Sequence, residues 1–157
     1  MYRRVINNIC ATLMLVAIFV FAGCNAGPDP EKVVATQYCS LDNILGATGA
    51  GLIFSSPVGT TLTFQGWAVD IANGKVPRDV SLQLIDAKDQ VVASYEGSSG
   101  AKRPDLVKAF NVPGIEDGGF GITGRVNVVP AEYNIQLSEY INGRLLVCRT
   151  NKKLVLH

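Results

Sequence analysis

The chain has 157 residues, with 14 basic and 13 acidic side chains, one histidine and four cysteines, for a formal net charge of +1. So even a balance carries no electrostatic footprint for nucleic acid, and the length suits one domain able to bury a core. Hydrophobic residues make up 48% of the chain, and part of that excess lies in one apolar run near the start.

That run comes first in chain order. Arg3 and Arg4 form a positive start, Ile9 to Phe21 is apolar and uncharged, and the small residues Ala22 and Gly23 precede Cys24. A charged start, a short apolar core and a small-residue exit define an export signal. The apolar core is shorter than the ~20 residues a helix needs to cross ~30 Å of hydrocarbon. Phe21-Ala22-Gly23-Cys24 resembles a lipobox, the cleavage and acylation site of bacterial lipoproteins, with Phe21 where leucine is usual. The resemblance implies a signal peptide over 1–23 and a mature chain lipidated, as with palmitate, at Cys24. Acylation adds more than one chain, and stable anchoring needs about two. Asn25 comes next, and a residue other than Asp there resembles outer-membrane sorting, with the periplasm or the cell surface as the compartment.

Residues 24–37 read as a lipidated tether, with Pro28 and Pro30 disfavouring regular structure. Removing the leader takes away Arg3, Arg4 and Cys10, so the mature chain is close to neutral. Cys39 and Cys148 then remain near the two ends of the domain at 38–157. An exported compartment is oxidising, so the two are expected to form a disulfide, worth ~4–5 kcal/mol by chain entropy for a loop of ~100 residues. A metal site is not expected, because zinc takes four closely spaced ligands and the one histidine is His157.

The domain reads as β. Thr61–Val69 and Val80–Ile85 are rich in β-formers, the second alternating well before it breaks at Asp86-Ala87-Lys88-Asp89. Val91–Tyr95 completes a hairpin with it. Phe120–Val128 and Tyr133–Ser138 are the next strands. Asn142-Gly143 tolerates the two positive φ angles of a type I′ turn and should join a strand ending near Tyr140 to one over Arg144–Cys148. Lys153–Leu156 would add a last short edge. Pro104–Phe110 is the one predicted helix: proline suits the first helical position, Asp105 sits at the positive end of the dipole, and Leu106, Val107 and Phe110 share a face. About seven or eight strands and one connecting helix predict an immunoglobulin-like antiparallel β-sandwich, with a small β-barrel as the alternative.

From Gly66 to Tyr133 the chain resembles a recurring bacterial extracytoplasmic β-sandwich module. The matching pieces are Gly66-Trp67-Ala68-Val69-Asp70, Arg103-Pro104-Asp105 with the helix behind it, Gly119-Phe120, and Pro130-Ala131-Glu132-Tyr133. They cover about half of the mature chain. Such modules occur beside membrane proteins of surface-polysaccharide assembly and also alone, so the resemblance implies a fold more than an activity. The cysteine pair is not part of that pattern.

Four residues stand out as candidates for partner binding. Trp67, the one tryptophan, would stack on a sugar or a partner's side chain if turned outward; the ordinary reading is a core ring. Asp70 would orient a ligand hydroxyl, or simply cap the turn before Asn73-Gly74. Arg103 and Asp105 would form a polar recognition edge with Asp70, or an ion pair locking the helix to the strand, which the planar guanidinium suits. Gly46-Ala47-Thr48-Gly49-Ala50-Gly51 invites a phosphate-loop reading, but Leu52-Ile53-Phe54 behind it reads as a strand rather than a helix, so a plain loop is expected. Glu116-Asp117-Gly118-Gly119 lacks the ligand spacing of a calcium loop and reads as an exposed turn.

No histidine stands inside the domain to serve as a base, no G-x-S-x-G motif occurs, and spacing nominates no carboxylate pair. The expectation is therefore a non-enzymatic envelope lipoprotein without a cofactor, held to the membrane by lipid and binding an envelope protein or a surface glycan. Two other readings stay open. One is a lipoprotein inhibitor of a hydrolase such as lysozyme, suggested by Tyr38-Cys39, though the inhibitory loop of that group is missing. The other is a carbohydrate-active enzyme using Asp70 or Asp105.

Overall fold

Strand after strand buries alternate side chains. In β5 (Thr61–Ala68) Leu62, Phe64, Gly66 and Ala68 point inward, and in β6 (Asp79–Ile85) Val80, Leu82 and Leu84 do. A period of two puts these side chains on one face, which must be covered by another layer. The computed structural model describes residues 32–157. The leader, Cys24 and the first part of the tether lie outside the described residues.

The remaining elements are β1 (Val33–Ala35), β2 (Cys39–Leu45), β3 (Thr48–Ala50), β4 (Ile53–Ser56), β7 (Val91–Ala101), α1 (Pro104–Phe110), β8 (Gly119–Arg125), β9 (Glu132–Ile141) and β10 (Arg144–Leu156). They form one ten-stranded sheet in the order β2-β5-β8-β7-β6-β9-β10-β4-β3, with β1 on β10. The fold is all-β with one short helix, and its nearly closed sheet fits the small-barrel alternative. Long β7 turns the corner. Its residues 91–98 pair with β6, and Ser99 and Ala101 pair with β8. Glycine makes the corner possible: a Cβ on Gly97 would lie 2.6 Å from Ile122 Cγ1, and one on Gly124 would strike the Tyr95 ring. Tyr95 in turn stacks on Phe64 at 5.9 Å.

Opposite that corner the disulfide Cys39–Cys148 ties β2 to β10, with Cα atoms 6.3 Å apart across a sequence separation of 109. The core between these walls holds Leu41, Phe64, Leu82, Ile122, Ile135 and Leu154 among others, all at most 1% exposed. Tyr133, at the start of β9, is buried and its hydroxyl donates to Val129 O at 2.6 Å. That bond has the form of the tyrosine corner known from immunoglobulin-like folds.

The helix has the predicted bounds. Pro104 opens it, Asn111 closes it at φ 53°, and the Asn111 N–H donates to Val107 O. Asn142 and Gly143 adopt φ 51° and 75°, joining β9 to β10 in the predicted type I′ form.

Three expectations are corrected. The sheet is not wholly antiparallel, because β1 and β4 both run parallel to β10. Lys153–Leu156 is not a short edge but the end of the long β10, paired with β9 on one side and β4 on the other, with Leu154 fully buried. The β10 strand survives its polar middle by bulging between Arg149 and Lys153, where Thr150 Oγ1 donates to Ile135 O. And Val33–Ala35, at the end of the stretch read as a tether, forms β1 because Val34 gains cover against β10.

Candidate functional site

The candidate residues gather at one end of the barrel, in two groups. Trp67 is the penultimate residue of β5 and faces away from the main core. It meets a second, smaller cluster built on Val69, Leu106 and Ile115. Its ring lies 5.7 Å from Phe110 of α1, and Phe110 meets Tyr38 edge-on at 5.8 Å. The apolar face of α1 thus covers Trp67, leaving the ring half-buried rather than presented flat to solvent.

Arg103 precedes the helix. Its Nε and Nη2 donate to the two oxygens of Asp105 at 2.9 and 2.7 Å, and Nη1 donates to Asp42 of β2 at 2.7 Å. This is the locking arrangement: one planar fork joins the helix start to a strand. The Asp105 bond and the Asp42 charge push the guanidinium pKa up, and Arg103 holds the Asp105 carboxyl below its ordinary value. Beside them Lys102 bridges Glu116 and Asp117 at 2.7 and 2.9 Å, so the acidic turn faces an ammonium group. These two bonds raise the Lys102 pKa, that to Glu116 foremost.

Asp70 belongs elsewhere. It is 5% exposed, and it caps a 3₁₀ turn over Ile71–Asn73 by accepting from Asn73 N at 3.3 Å and Asn73 Nδ2 at 2.6 Å. The cation on it is Arg144, from the first position of β10, at 3.2 Å. Among the described residues no hydrogen bond or ion pair joins Asp70 to Arg103 or Asp105, so the expected three-residue polar edge is not assembled.

Sequence reasoning missed Glu139, the unusual member of this second group. It is 2% exposed and neither carboxyl oxygen has a hydrogen-bond partner. Burial, helped by the Asp70 charge, raises its pKa from 4.5 to about 7. A signal was present: Tyr133, Ile135, Leu137, Glu139 and Ile141 share the inward face of β9, so a carboxyl interrupts an apolar row. Arg144 and Asp42 carried no local signal, because each meets its partner only through the fold.

Two clefts lie away from these groups. One of about 470 Å³ runs beside the disulfide, lined by Thr36, Gln37, Ser40, Arg149 and Asn151. The other, about 440 Å³, is floored by Val92, Val129 and Tyr133 and edged by Asp86, Lys88 and Glu132. Ser55 Oγ and His157 Nδ1 are 3.2 Å apart on an exposed edge. Among the described residues no carboxylate holds the other face of that ring, as a hydrolytic triad would require. The glycine-rich segment after β2 leads into a strand, as expected, but it is not a plain loop: Thr48–Ala50 forms β3 and pairs with β4 in a hairpin.

The chain matches no family model and no curated protein.

Proposed function

We propose that this protein is a lipid-anchored component of a bacterial envelope whose β domain binds a protein or glycan partner without turning it over. The observation that carries the reading is the leader: Arg3 and Arg4, the apolar run to Phe21, and Ala22-Gly23-Cys24. An oxidising compartment accords with the disulfide between β2 and β10, which a cytosolic chain rarely keeps. The candidate set also reads more readily as binding than as catalysis. Asp105 and Asp42 keep substantial exposure around Arg103, while Trp67 and Asp70 are engaged internally. A partner would meet the polar rim of α1, which offers both signs of charge on a rigid base.

Two measurements test this. Intact-mass analysis should find the acyl mass on the wild-type chain and not on Cys24→Ala; acyl mass on the variant refutes the anchor. Crosslinking in native envelopes should capture one recurrent component, with links at Lys102 or Lys108. A chain that crosslinks to nothing there is not a binding module.

A further inference from the structure

The buried group around Glu139 is not needed for the binding role, and a fully buried carboxyl with both oxygens unpartnered asks for an explanation. We propose that Glu139, Asp70 and Arg144 form a proton-operated latch holding the tip of the β9–β10 hairpin to the turn after β5.

The charges around Glu139 come from few places. Strand pairing sets it opposite Val80 on β6 and Leu146 on β10, both buried and apolar, so no charge lies directly across from it on either neighbouring strand. Asp79, next to Val80, is exposed on the opposite face. From the turn after β5 comes Asp70, and from the start of β10 comes Arg144, already bonded to Asp70. Lys75, which closes the same turn through its backbone bonds to Asp70, has its ammonium on Asn142 Oδ1 at 3.1 Å, at the hairpin tip. With Glu139 protonated, the site sets one buried anion, Asp70, against the partly exposed Arg144. With Glu139 ionised it holds two buried anions against that one cation, and the second has no polar partner.

Burying an uncompensated charge is costly enough that a protein relieves it by taking a proton or by moving. The part able to move is the joint between the two segments, whose polar ties are Arg144–Asp70 and Lys75–Asn142. Neither of the clefts beside the disulfide and over Tyr133 is lined by Glu139, so the geometry points to a conformational switch rather than to acid–base work on a substrate. With its carboxyl raised to about 7, the change falls near neutral pH, where an exported domain feels the medium.

The test is hydrogen exchange on the full-length chain between pH 5.5 and 8.5, corrected for intrinsic rates. Amides at 71–75 and 141–144 should exchange at least fivefold faster at the upper pH, while those of β5 and β8 should not. Glu139→Gln should flatten that change. Asp70→Asn should shift its midpoint down by at least one pH unit, because Arg144 is then free to serve Glu139. Equal profiles for wild type and Glu139→Gln overturn the latch. If Glu139→Gln fails to fold, carbon-13 titration of the wild-type Glu139 carboxyl decides: a midpoint near the ordinary 4.5 overturns the proposal, and one near neutrality that tracks the exchange supports it.

Discussion

Two arginine–carboxylate groups sit at the same end of this barrel and do opposite things. Arg103 binds Asp105 and Asp42 at the rim of α1, with both carboxylates well exposed. Arg144 binds Asp70 beneath the hairpin tip, with Asp70 and Glu139 almost wholly out of water. The chemistry is the same and the solvent differs. At the rim water screens each charge, so the cluster fastens the helix at little cost and with little gain. Inside, each charge must be balanced or neutralised, so without a second cation the Glu139 carboxyl is pushed up to about 7.

Breaking the contrast starts with pH. Because the folded Glu139 pKa is raised from 4.5 to about 7, its stabilising contribution is complete below pH 4.5 and is lost as pH rises to 7. In that window the unfolded chain gives up the proton and the folded chain keeps it. The loss amounts to ~3 kcal/mol at ~1.4 kcal/mol per pH unit. Urea unfolding of wild type against Glu139→Gln should show this fall only in the wild type. Equal slopes from pH 5 to 7 would place the carboxyl in water.

Arg144→Ala comes next. It leaves Asp70 and Glu139 buried without a cation. Removing one partner of a buried pair costs ~3–5 kcal/mol, which the partial exposure of Arg144 reduces to ~2–3. Its effect on the urea midpoint should persist in 1 M salt. Arg103→Ala should cost no more than ~1 kcal/mol, the upper end for exposed pairs. Most of that should vanish in 1 M salt, where screening acts within ~3 Å. If the two arginines respond alike to salt, the division between rim and interior fails. Smallest of all is Lys102→Ala: its bonds to Glu116 and Asp117 are fully exposed, and the thermal midpoint should not move measurably.

The rim was largely legible in the sequence. Pro104, Asp105 and the apolar spacing of Leu106, Val107 and Phe110 mark a short helix, and an arginine two residues from an aspartate can pair locally. Asp70 was legible as a turn cap for the same reason, since Asn73 lies three residues on. Its cation was not, because Arg144 is far along the chain and arrives only when β10 folds back. Glu139 was half legible. Its place in the inward row of β9 could be counted, but the lack of a partner could not. The parallel strands β1 and β4 were hidden because a three- or four-residue strand carries no periodicity of its own.

By itself the sequence determined the local features: the alternating strands, the helix from Pro104 to Phe110, and the positive-φ turn at Asn142-Gly143. Each depends on residues within a few positions of one another, where sterics, capping and periodicity act. Tertiary structure alone decided that one sheet rolls nearly into a barrel, that β10 takes parallel neighbours, and that Arg103 stays wet while Glu139 goes dry. Those outcomes depend on which distant surfaces exclude water together, and exclusion of water is a property of the packed whole.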